Sequence, residues 1–325
     1  MHRPLFLRRS LGICLAGLAL DAPAATWTVG PQRDSPSFAE ALSRAKDGDV
    51  IEVQPGSYFG QVAVIRQRHL TIRGVGARPV FEGAGRHAEG KAIWVVREGD
   101  ITIENIEFRG ARVPDFNGAA IRFERGRLTL RHCAFFDNEL GVLTGNVSDA
   151  ELSIEDSEFG LAPQHPGDLH HLVYVGRIAR VSIRRSRFHG GHIGHLIKSR
   201  ARESVITHNH IVDGPQGRAS YEIDLPNGGL ARVADNTIGQ SALTENPVMV
   251  AYGAEGAAWP RSALTLENNL LINDRRSGGV FVRVWRERLP AHTLVTVRGN
   301  RLMGPGSIDA GLGAKLEDNK IMARP

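Results

Sequence analysis

Short runs of alternating apolar and polar residues recur along the chain about every 20 to 30 residues. Most of these runs are followed by Asn, Ser or Asp and then, two places further on, by an apolar residue, as in Leu152-Ser153-Ile154 followed by Ser157 and Phe159. Period-two alternation is typical of strands, and the intervening glycines and asparagines are typical of turns. Because a unit this short buries its apolar face only by stacking on similar units, the pattern predicts a solenoid.

The later copies carry asparagine at one fixed position of the repeat, at Asn209, Asn236, Asn269, Asn300 and Asn319. Asparagine tolerates a left-handed bend, and its amide can bond the equivalent amide one coil away. The phenylalanines and aliphatic residues are predicted to stack inside. The chain is therefore predicted to be all-β, a right-handed parallel β-helix of roughly ten coils.

The amino-terminal part has two predicted elements. Residues 1–24 are predicted to be a secretory signal peptide, because basic residues precede a short apolar stretch and the small residues Ala22-Pro23-Ala24. Residues 25–325 are then expected to form one β-helix domain in a periplasmic or secreted protein. Within it, residues 37–45 have the pattern of a short amphipathic helix that caps the open end of the solenoid.

Composition narrows the class of protein. No mature segment reaches the roughly 18 apolar residues of a transmembrane helix, so no transmembrane segment is expected. The formal net charge is +5, with basic residues spread over the whole chain. This distribution favours an anionic surface or substrate over nucleic acid. Without the signal peptide Cys133 stands alone, so we predict a small core residue and no intramolecular disulfide. A monomer is expected.

The repeats, together with the strand predicted at 26–29 and the capping helix, resemble the pectate-lyase-like family of parallel β-helix proteins. The resemblance extends from residue 26 to about residue 321, nearly the whole mature chain. It implies the fold of that family. It implies little about activity, because one fold hosts many functions.

The densest chemistry lies between residues 165 and 256. The interior of a β-helix is filled, so function is expected on an outer face, where side chains of successive coils stack at about 4.8 Å. Alternation predicts that four charged residues on neighbouring coils all face outward, a basic pair opposite an acidic pair: Lys198, Arg200, Glu222 and Asp224. Their simplest role is a solvated ladder of ion pairs.

The same residues suit β-elimination from an acidic polysaccharide. Lys198 is predicted to be the general base, kept partly neutral, and Arg200 the partner of the sugar carboxylate. Tyr174, Tyr252 or His195 would return the proton to the leaving oxygen. Additional substrate contacts are predicted from His171, Arg218, Asn227 and Tyr252.

The segment around Lys198-Ser199 resembles the site region of β-helix polysaccharide lyases of the chondroitinase B and alginate lyase type. The resemblance covers two coils and implies that Lys198 is the base. The assisting arginine expected on the next coil falls near Glu222, with Arg218 four residues earlier. The acidic calcium ligands expected before the lysine are replaced by His192 and His195, so the resemblance leaves any metal cofactor unassigned.

Two other functions fit the sequence. Glu222 and Asp224 could serve as the acid and base of a glycoside hydrolase, although Lys198 on the adjacent coil would lower the pKa of an acid catalyst that needs it raised. Alternatively, the protein is a non-catalytic binding or scaffold protein whose arginine-rich coils hold an anionic polymer. The histidines of this region are expected on the surface and in turns rather than as a metal site.

Overall fold

The computed structural model describes residues 24–32, 34–164, 170–244 and 246–323, so residues 1–23 of the predicted signal peptide lie outside it. The described chain winds through three parallel sheets of 12, 10 and 11 strands. Consecutive strands of each sheet come from successive coils. The predicted right-handed parallel β-helix of about ten coils is confirmed.

We call the three sheets the first sheet, the site sheet and the third sheet. The first sheet contains the strands Thr26–Val29, Val50–Val53, His69–Gly74, Asp100–Glu104, Arg127–Arg131, Glu151–Glu155, Arg180–Arg184, Glu203–Thr207, Leu230–Ala234, Ala263–Glu267, Leu294–Arg298 and Lys315–Glu317. The site sheet contains Ala63–Ile65, Ala92–Val96, Ala119–Phe123, Leu140–Thr144, Val173–Val175, Ile197–Ser199, Ile223–Leu225, Val248–Tyr252, Val280–Val284 and Ser307–Asp309. The third sheet contains Ser57–Phe59, Val80–Glu82, Glu107–Arg109, Ala134–Phe136, Glu158–Gly160, Arg187–His189, His210–Val212, Thr237–Gln240, Leu270–Asn273, Arg301–Met303 and Lys320–Met322.

The interior is filled by columns of identical or similar side chains. In the third sheet, five phenylalanines stack with ring centroids 4.4 to 6.0 Å apart, at Phe81, Phe108, Phe135, Phe159 and Phe188. Offset stacking adds to the energy of apolar burial. Cys133 is also buried in this interior, as predicted, and burial raises the pKa of its thiol to about 12.

The asparagine column forms the predicted ladder. The Nδ2 atom of each member donates to Oδ1 of the next at 2.9 to 3.0 Å, from Asn209 to Asn319. The ladder asparagines themselves do not adopt the left-handed bend, so that part of the prediction is wrong. The residue before each one does, with φ of 58° at His208 and Asp235 and 57° at Asn268. Because the preceding residue makes the bend, the side-chain amide of each ladder asparagine can bond along the axis of the solenoid.

Replacing Asn236 with alanine is expected to lower the free energy of unfolding by about 3 kcal/mol, because it leaves several buried groups unpaired. Its amide bonds the Asn209 backbone N–H at 2.9 Å and the Ile206 carbonyl at 2.9 Å, besides two ladder neighbours. Denaturant unfolding measures the change. The exposed Asn117→Ala is the control, expected within about 0.5 kcal/mol of wild type. An equally small effect at Asn236 would contradict the structural role of the ladder.

The amino-terminal end of the solenoid is closed by the helix Phe38–Arg44, which confirms the predicted cap. Ser37 and Glu40 form a capping box, in which their side chains accept hydrogen bonds from backbone N–H groups at the start of the helix. Phe38 is fully buried and stacks on Trp94 with ring centroids 4.3 Å apart. Among the described residues, no helix is long and apolar enough to cross a membrane.

Candidate active site

Three polar residues are aligned on the outer face of the site sheet. The parallel register places Tyr174 beside Lys198 and Lys198 beside Asp224 on successive coils. Their neighbours Val173, Ile197 and Ile223 point into the core. Because these residues pair side by side on adjacent coils without a shift in register, their charged groups lie within hydrogen-bond reach of one another. We call Tyr174, Lys198, Arg200, Asp224 and Glu255 the site cluster.

Lys198 lies between two carboxylates. Its Nζ atom is 3.0 Å from Asp224 Oδ2 and 2.6 Å from Glu255 Oε1. Burial opposes the charge of the ammonium group, but the two carboxylates outweigh it and raise the pKa of Lys198 above its ordinary value. This arrangement favours the charged ammonium form of Lys198 and gives no support to a partly neutral general base.

Arg200 connects three groups at the edge of the cluster. Its Nε donates to Tyr174 Oη at 3.0 Å and its Nη1 to Asn227 Oδ1 at 2.9 Å, while Nη2 lies 2.5 Å from Glu255 Oε2. Burial opposes its charge, but the contacts with Tyr174 and Glu255 raise the pKa of Arg200. The guanidinium is thus a fixed cation next to a phenol oxygen.

Glu255 is the site residue that the sequence did not reveal. It lies in the turn after the strand Val248–Tyr252, 57 positions from Lys198, and its carboxylate bridges Lys198 and Arg200. Burial alone would raise its pKa, but the two cations lower it below the ordinary value. The Glu255 side chain is 42% exposed, whereas those of Lys198 and Asp224 are almost fully buried. The only feature of the sequence that points to Glu255 is its place as an acidic residue in a glycine-rich turn after a strand of the site sheet.

The turn that carries Glu255 is fastened to the body of the solenoid. Asn227 Nδ2 donates to the Gly256 carbonyl at 2.6 Å, and the Glu255 N–H donates to the Pro226 carbonyl at 3.1 Å. Asn227 therefore holds both Arg200 and the turn. It was predicted to bind substrate, and its buried side chain is instead placed to position these two groups.

Two histidines lie behind the cluster. His171 Nδ1 accepts the His195 backbone N–H at 2.9 Å, and His195 Nδ1 accepts the Tyr221 N–H at 3.3 Å. These bonds place the remaining ring proton on Nε2, which in His195 lies 3.4 Å from Asp224 Oδ2. The pKa values of both histidines are lowered, and burial is the largest cause. The pKa of His171 is lowered to about 3. Both imidazoles are neutral, which does not favour His195 as an imidazolium acid.

Asp224 is the buried carboxylate of the cluster. Burial raises its pKa to about 6, and the nearby Lys198 ammonium opposes that rise. It contacts Lys198 on one side and His195 on the other. The predicted outward position of Asp224 is correct, but other side chains cover it.

The outward position predicted for Glu222 is wrong, and burial also contradicts the proton transfer and substrate contact predicted for Tyr252. Glu222 precedes the strand Ile223–Leu225 at a corner of the coil, where alternation does not apply, and its fully buried carboxylate has no hydrogen-bond partner among the described residues. It occupies the inward position that Leu196 and Met249 fill on the adjacent coils. Tyr252 is also buried in the core, where its hydroxyl donates to the Gly229 carbonyl at 2.6 Å.

Arg218 is exposed on the loop before the strand Ile223–Leu225, where it lines a separate cavity of about 230 Å³ with Ile193, Ser220, Thr244 and Asn246. In the described ranges, no three His, Cys, Asp or Glu side chains are arranged to hold a metal ion. Calcium prefers carboxylate and carbonyl oxygens, and the imidazoles of His192 and His195 do not supply them. The residues therefore do not fit the calcium site of the lyases that the sequence resembles.

Solved structures with a similar fold include two alginate lyases. The enzyme from Paenibacillus sp. str. FPU-7 superposes with a TM-score of 0.57 and 15% identity over 91% of this chain and 99% of that chain. The PL6 family alginate lyase AlyGC superposes with a TM-score of 0.51 and 16% identity over 92% of this chain and 40% of that chain. At these identities the similarity shows the fold alone. The chain has the parallel β-helix fold that polysaccharide lyases use.

No family model matches the sequence. No curated protein matches it. The surface adhesin PfbA of Streptococcus pneumoniae superposes with a TM-score of 0.44 and 11% identity, over 84% of this chain and 82% of that chain.

Proposed function

We propose that the protein is an exported polysaccharide lyase that cleaves a uronate-containing polysaccharide by β-elimination. The observation that carries the proposal is the position of Glu255, whose carboxylate lies between Lys198 and Arg200 at the mouth of the cluster. Two fixed cations that hold one carboxylate can hold another of the same shape. The uronate carboxylate displaces that of Glu255, whose side chain is partly exposed and can turn toward solvent.

The proton transfer is assigned to Tyr174. Its oxygen accepts the Arg200 Nε–H bond and lies on the coil adjacent to Lys198, so it is next to the bound carboxylate. In the deprotonated form it takes the proton from the sugar carbon that bears the carboxylate. The electron pair forms a carbon–carbon double bond, the bond to the leaving oxygen breaks, and Tyr174 returns the proton to that oxygen.

Lys198 and Arg200 stabilise the charge that develops during this step. Removal of the proton pushes negative charge onto the sugar carboxylate, and both cations already face that group before the reaction begins. Preorganised charge of this kind is a large contribution to catalysis. Asp224 and Asn227 act as positioning residues, the first for Lys198 and the second for Arg200.

The hydrolase alternative has no support in this geometry. Glu222 points into the core and Asp224 toward the outer face, so the two carboxylates cannot flank one glycosidic bond. A binding protein without catalysis would use the same two cations. Turnover distinguishes that alternative from a lyase.

Tyr174→Phe is expected to lower kcat by at least about 100-fold and to leave substrate binding within a few-fold of wild type. The purified protein is incubated with a panel of acidic polysaccharides, and the ultraviolet absorbance of the unsaturated uronate product is followed. Tyr221→Phe is the matched control, since its ring packs on His195 with centroids 4.8 Å apart. It is expected to retain activity.

Three results would contradict the proposal. Full activity in Tyr174→Phe would remove Tyr174 from the mechanism. New reducing ends without absorbance would indicate hydrolysis. Binding to an acidic polymer with neither signal would identify a binding protein.

A further inference from the structure

A second group of charged side chains lies on the outer face of the site sheet, on coils nearer to the capping helix. Glu124 follows the strand Ala119–Phe123, and its carboxylate lies between Lys91 and Arg122. The Lys91 Nζ atom is 2.8 Å from Glu124 Oε1, and the Arg122 Nε atom is 3.2 Å from the same oxygen. This arrangement repeats that of the site cluster, where a lysine and an arginine hold the carboxylate of Glu255.

Cations outnumber carboxylates in this group. Glu89 forms an ion pair with Arg97, and its Oε1 atom lies 3.6 Å from Arg66 Nη2. We call the following residues the distal cluster: Arg66, Glu89, Lys91, Arg97, Arg122 and Glu124. Among these described side chains, four cations face two carboxylates, and each of the four cations is partly exposed. The distal cluster therefore has an excess of positive charge that attracts an anionic ligand.

The distal cluster and the site cluster are aligned on one outward column of the site sheet. Arg122 pairs in register with Leu143, which pairs with Tyr174 on the next coil. Tyr174 pairs in turn with Lys198. Neighbouring strands are about 4.8 Å apart, so three strand spacings place Arg122 about 14 Å from Lys198 along the solenoid axis. This distance is the length of a short oligosaccharide.

The surface between the two clusters is largely apolar. Leu143 and Tyr174 are partly buried, and both pack against a small apolar cluster on the outer face that includes Val95. Beside them, the strands Leu140–Thr144 and Val173–Val175 are each followed by a glycine, which contributes no side chain. Carbohydrate sites combine such apolar surface with a few well-placed polar groups. A bound chain would meet cations at both ends and apolar surface in between.

We propose that the distal cluster binds a second carboxylate of the same substrate chain, so that the polysaccharide runs along the solenoid axis between the two clusters. This inference rests on the proposed function. The second carboxylate takes the place of Glu124 beside Lys91 and Arg122, which bind it through charge-assisted hydrogen bonds.

The spacing of the two clusters also defines the class of substrate. A chain of consecutive uronates carries a carboxylate on every sugar, so two of its carboxylates lie within a span of about 14 Å. A polymer whose uronates are isolated among neutral sugars does not offer such a pair. The substrate class is therefore a polymer of consecutive uronates.

Calorimetric titration of the purified full chain with oligouronates tests the second binding position. The probes are disaccharides and octasaccharides of alginate and of polygalacturonate, and every variant carries Tyr174→Phe so that the probe stays intact. Lys91→Ala/Arg122→Ala is expected to raise the Kd of the octasaccharide at least about tenfold. The Kd of the disaccharide is expected to stay unchanged, because only the longer chain spans both clusters.

Two further variants complete the experiment. Arg232→Ala/Arg298→Ala is the matched control, since these arginines hold Glu267 at 2.8 and 2.6 Å on the first sheet. It is expected to bind the octasaccharide as tightly as its parent. Glu124→Gln removes the competing carboxylate and keeps the shape of the side chain. It is expected to bind the octasaccharide several-fold more tightly, a gain that a folding defect cannot produce.

The results separate this inference from the proposed function. An octasaccharide that does not bind, or binds no more tightly than the disaccharide, would overturn the distal binding position. An unchanged octasaccharide Kd in Lys91→Ala/Arg122→Ala would overturn it too, even where the absorbance assay shows elimination by wild type. A weakened octasaccharide in that variant, without turnover by wild type, would support the distal position and contradict the lyase.

Discussion

Lys198→Ala is expected to lower the rate of elimination at least about 100-fold while the protein remains folded. The ammonium group supplies one of the two positive charges that face the carboxylate of Glu255 and, in our proposal, that of the substrate. Its loss leaves Arg200 alone to stabilise the charge of the transition state. The fold survives because the pKa of Asp224, already raised to about 6, rises further without the cation, so the carboxyl group takes up a proton.

Activity is measured by ultraviolet absorbance and folding by circular dichroism. Lys46→Ala is the control, since Lys46 is exposed just after the capping helix and lies far from the site cluster. It is expected to retain full activity. Lys198→Arg keeps a cation at the site and is expected to recover part of the lost activity. Full turnover in Lys198→Ala would contradict the assigned role of Lys198.

Glu222→Met is expected to stabilise the protein by about 2 to 4 kcal/mol at pH 8, because a buried carboxyl group without partners is replaced by an apolar side chain of similar size. Methionine already occupies the equivalent inward position on the next coil, at Met249. Burial, and then the neighbouring Asp213 carboxylate, raise the pKa of Glu222 well above its ordinary value. The glutamate is therefore a destabilising residue at neutral and alkaline pH.

The sign of the pH dependence follows from the raised pKa. Below the pKa of an unfolded glutamate, about 4.3, both states are protonated and Glu222 costs no ionisation energy. Above it the unfolded chain releases the proton while the folded chain keeps it, so stability falls as pH rises toward the folded pKa. The slope reaches about 1.4 kcal/mol per pH unit. Asp213 and Asp224, with pKa values of about 6, add to this fall below pH 6.

Denaturant midpoints of wild type and Glu222→Met between pH 5 and pH 8 measure the effect. The difference between the two proteins is expected to widen with pH. Gln240→Met, which also replaces a buried polar side chain but carries no ionisable group, is the control, and its difference from wild type is expected to be independent of pH. A Glu222→Met protein that is less stable than wild type at pH 8 would contradict the unpaired state of the carboxylate.

The fold could be predicted from sequence because each coil repeats the same physical requirement. An inward apolar residue, a corner residue and a ladder amide recur at matching positions, so errors at one coil do not change the conclusion. The capping helix was predictable for a similar reason, since its apolar face and the Ser37 and Glu40 capping pair are local. Local patterns and repetition are visible without coordinates.

The site was predicted only in part because it depends on contacts between coils. Lys198 and Asp224 lie within regular strands, so alternation placed them correctly. Glu222 lies at a corner, and only its alignment with the apolar Leu196 and Met249 identifies it as inward. Glu255 comes from a turn that folds back over earlier coils, and no periodic pattern specifies that path. The charge of Lys198 depended on this unseen carboxylate.

The separation of the asparagine ladder from the site sheet affects how active sites can evolve on a parallel β-helix. Between Asn209 and Asn319 the ladder fixes the height of successive coils at another corner of the solenoid, so the outward residues of the site sheet are not needed there to set the register. From Lys198 through Asp224 to Ala251, that column has no recurring residue type. Mutation can therefore introduce a new reactive group on these coils while the backbone stays unchanged. A duplicated coil would lengthen the surface on which chemistry can evolve.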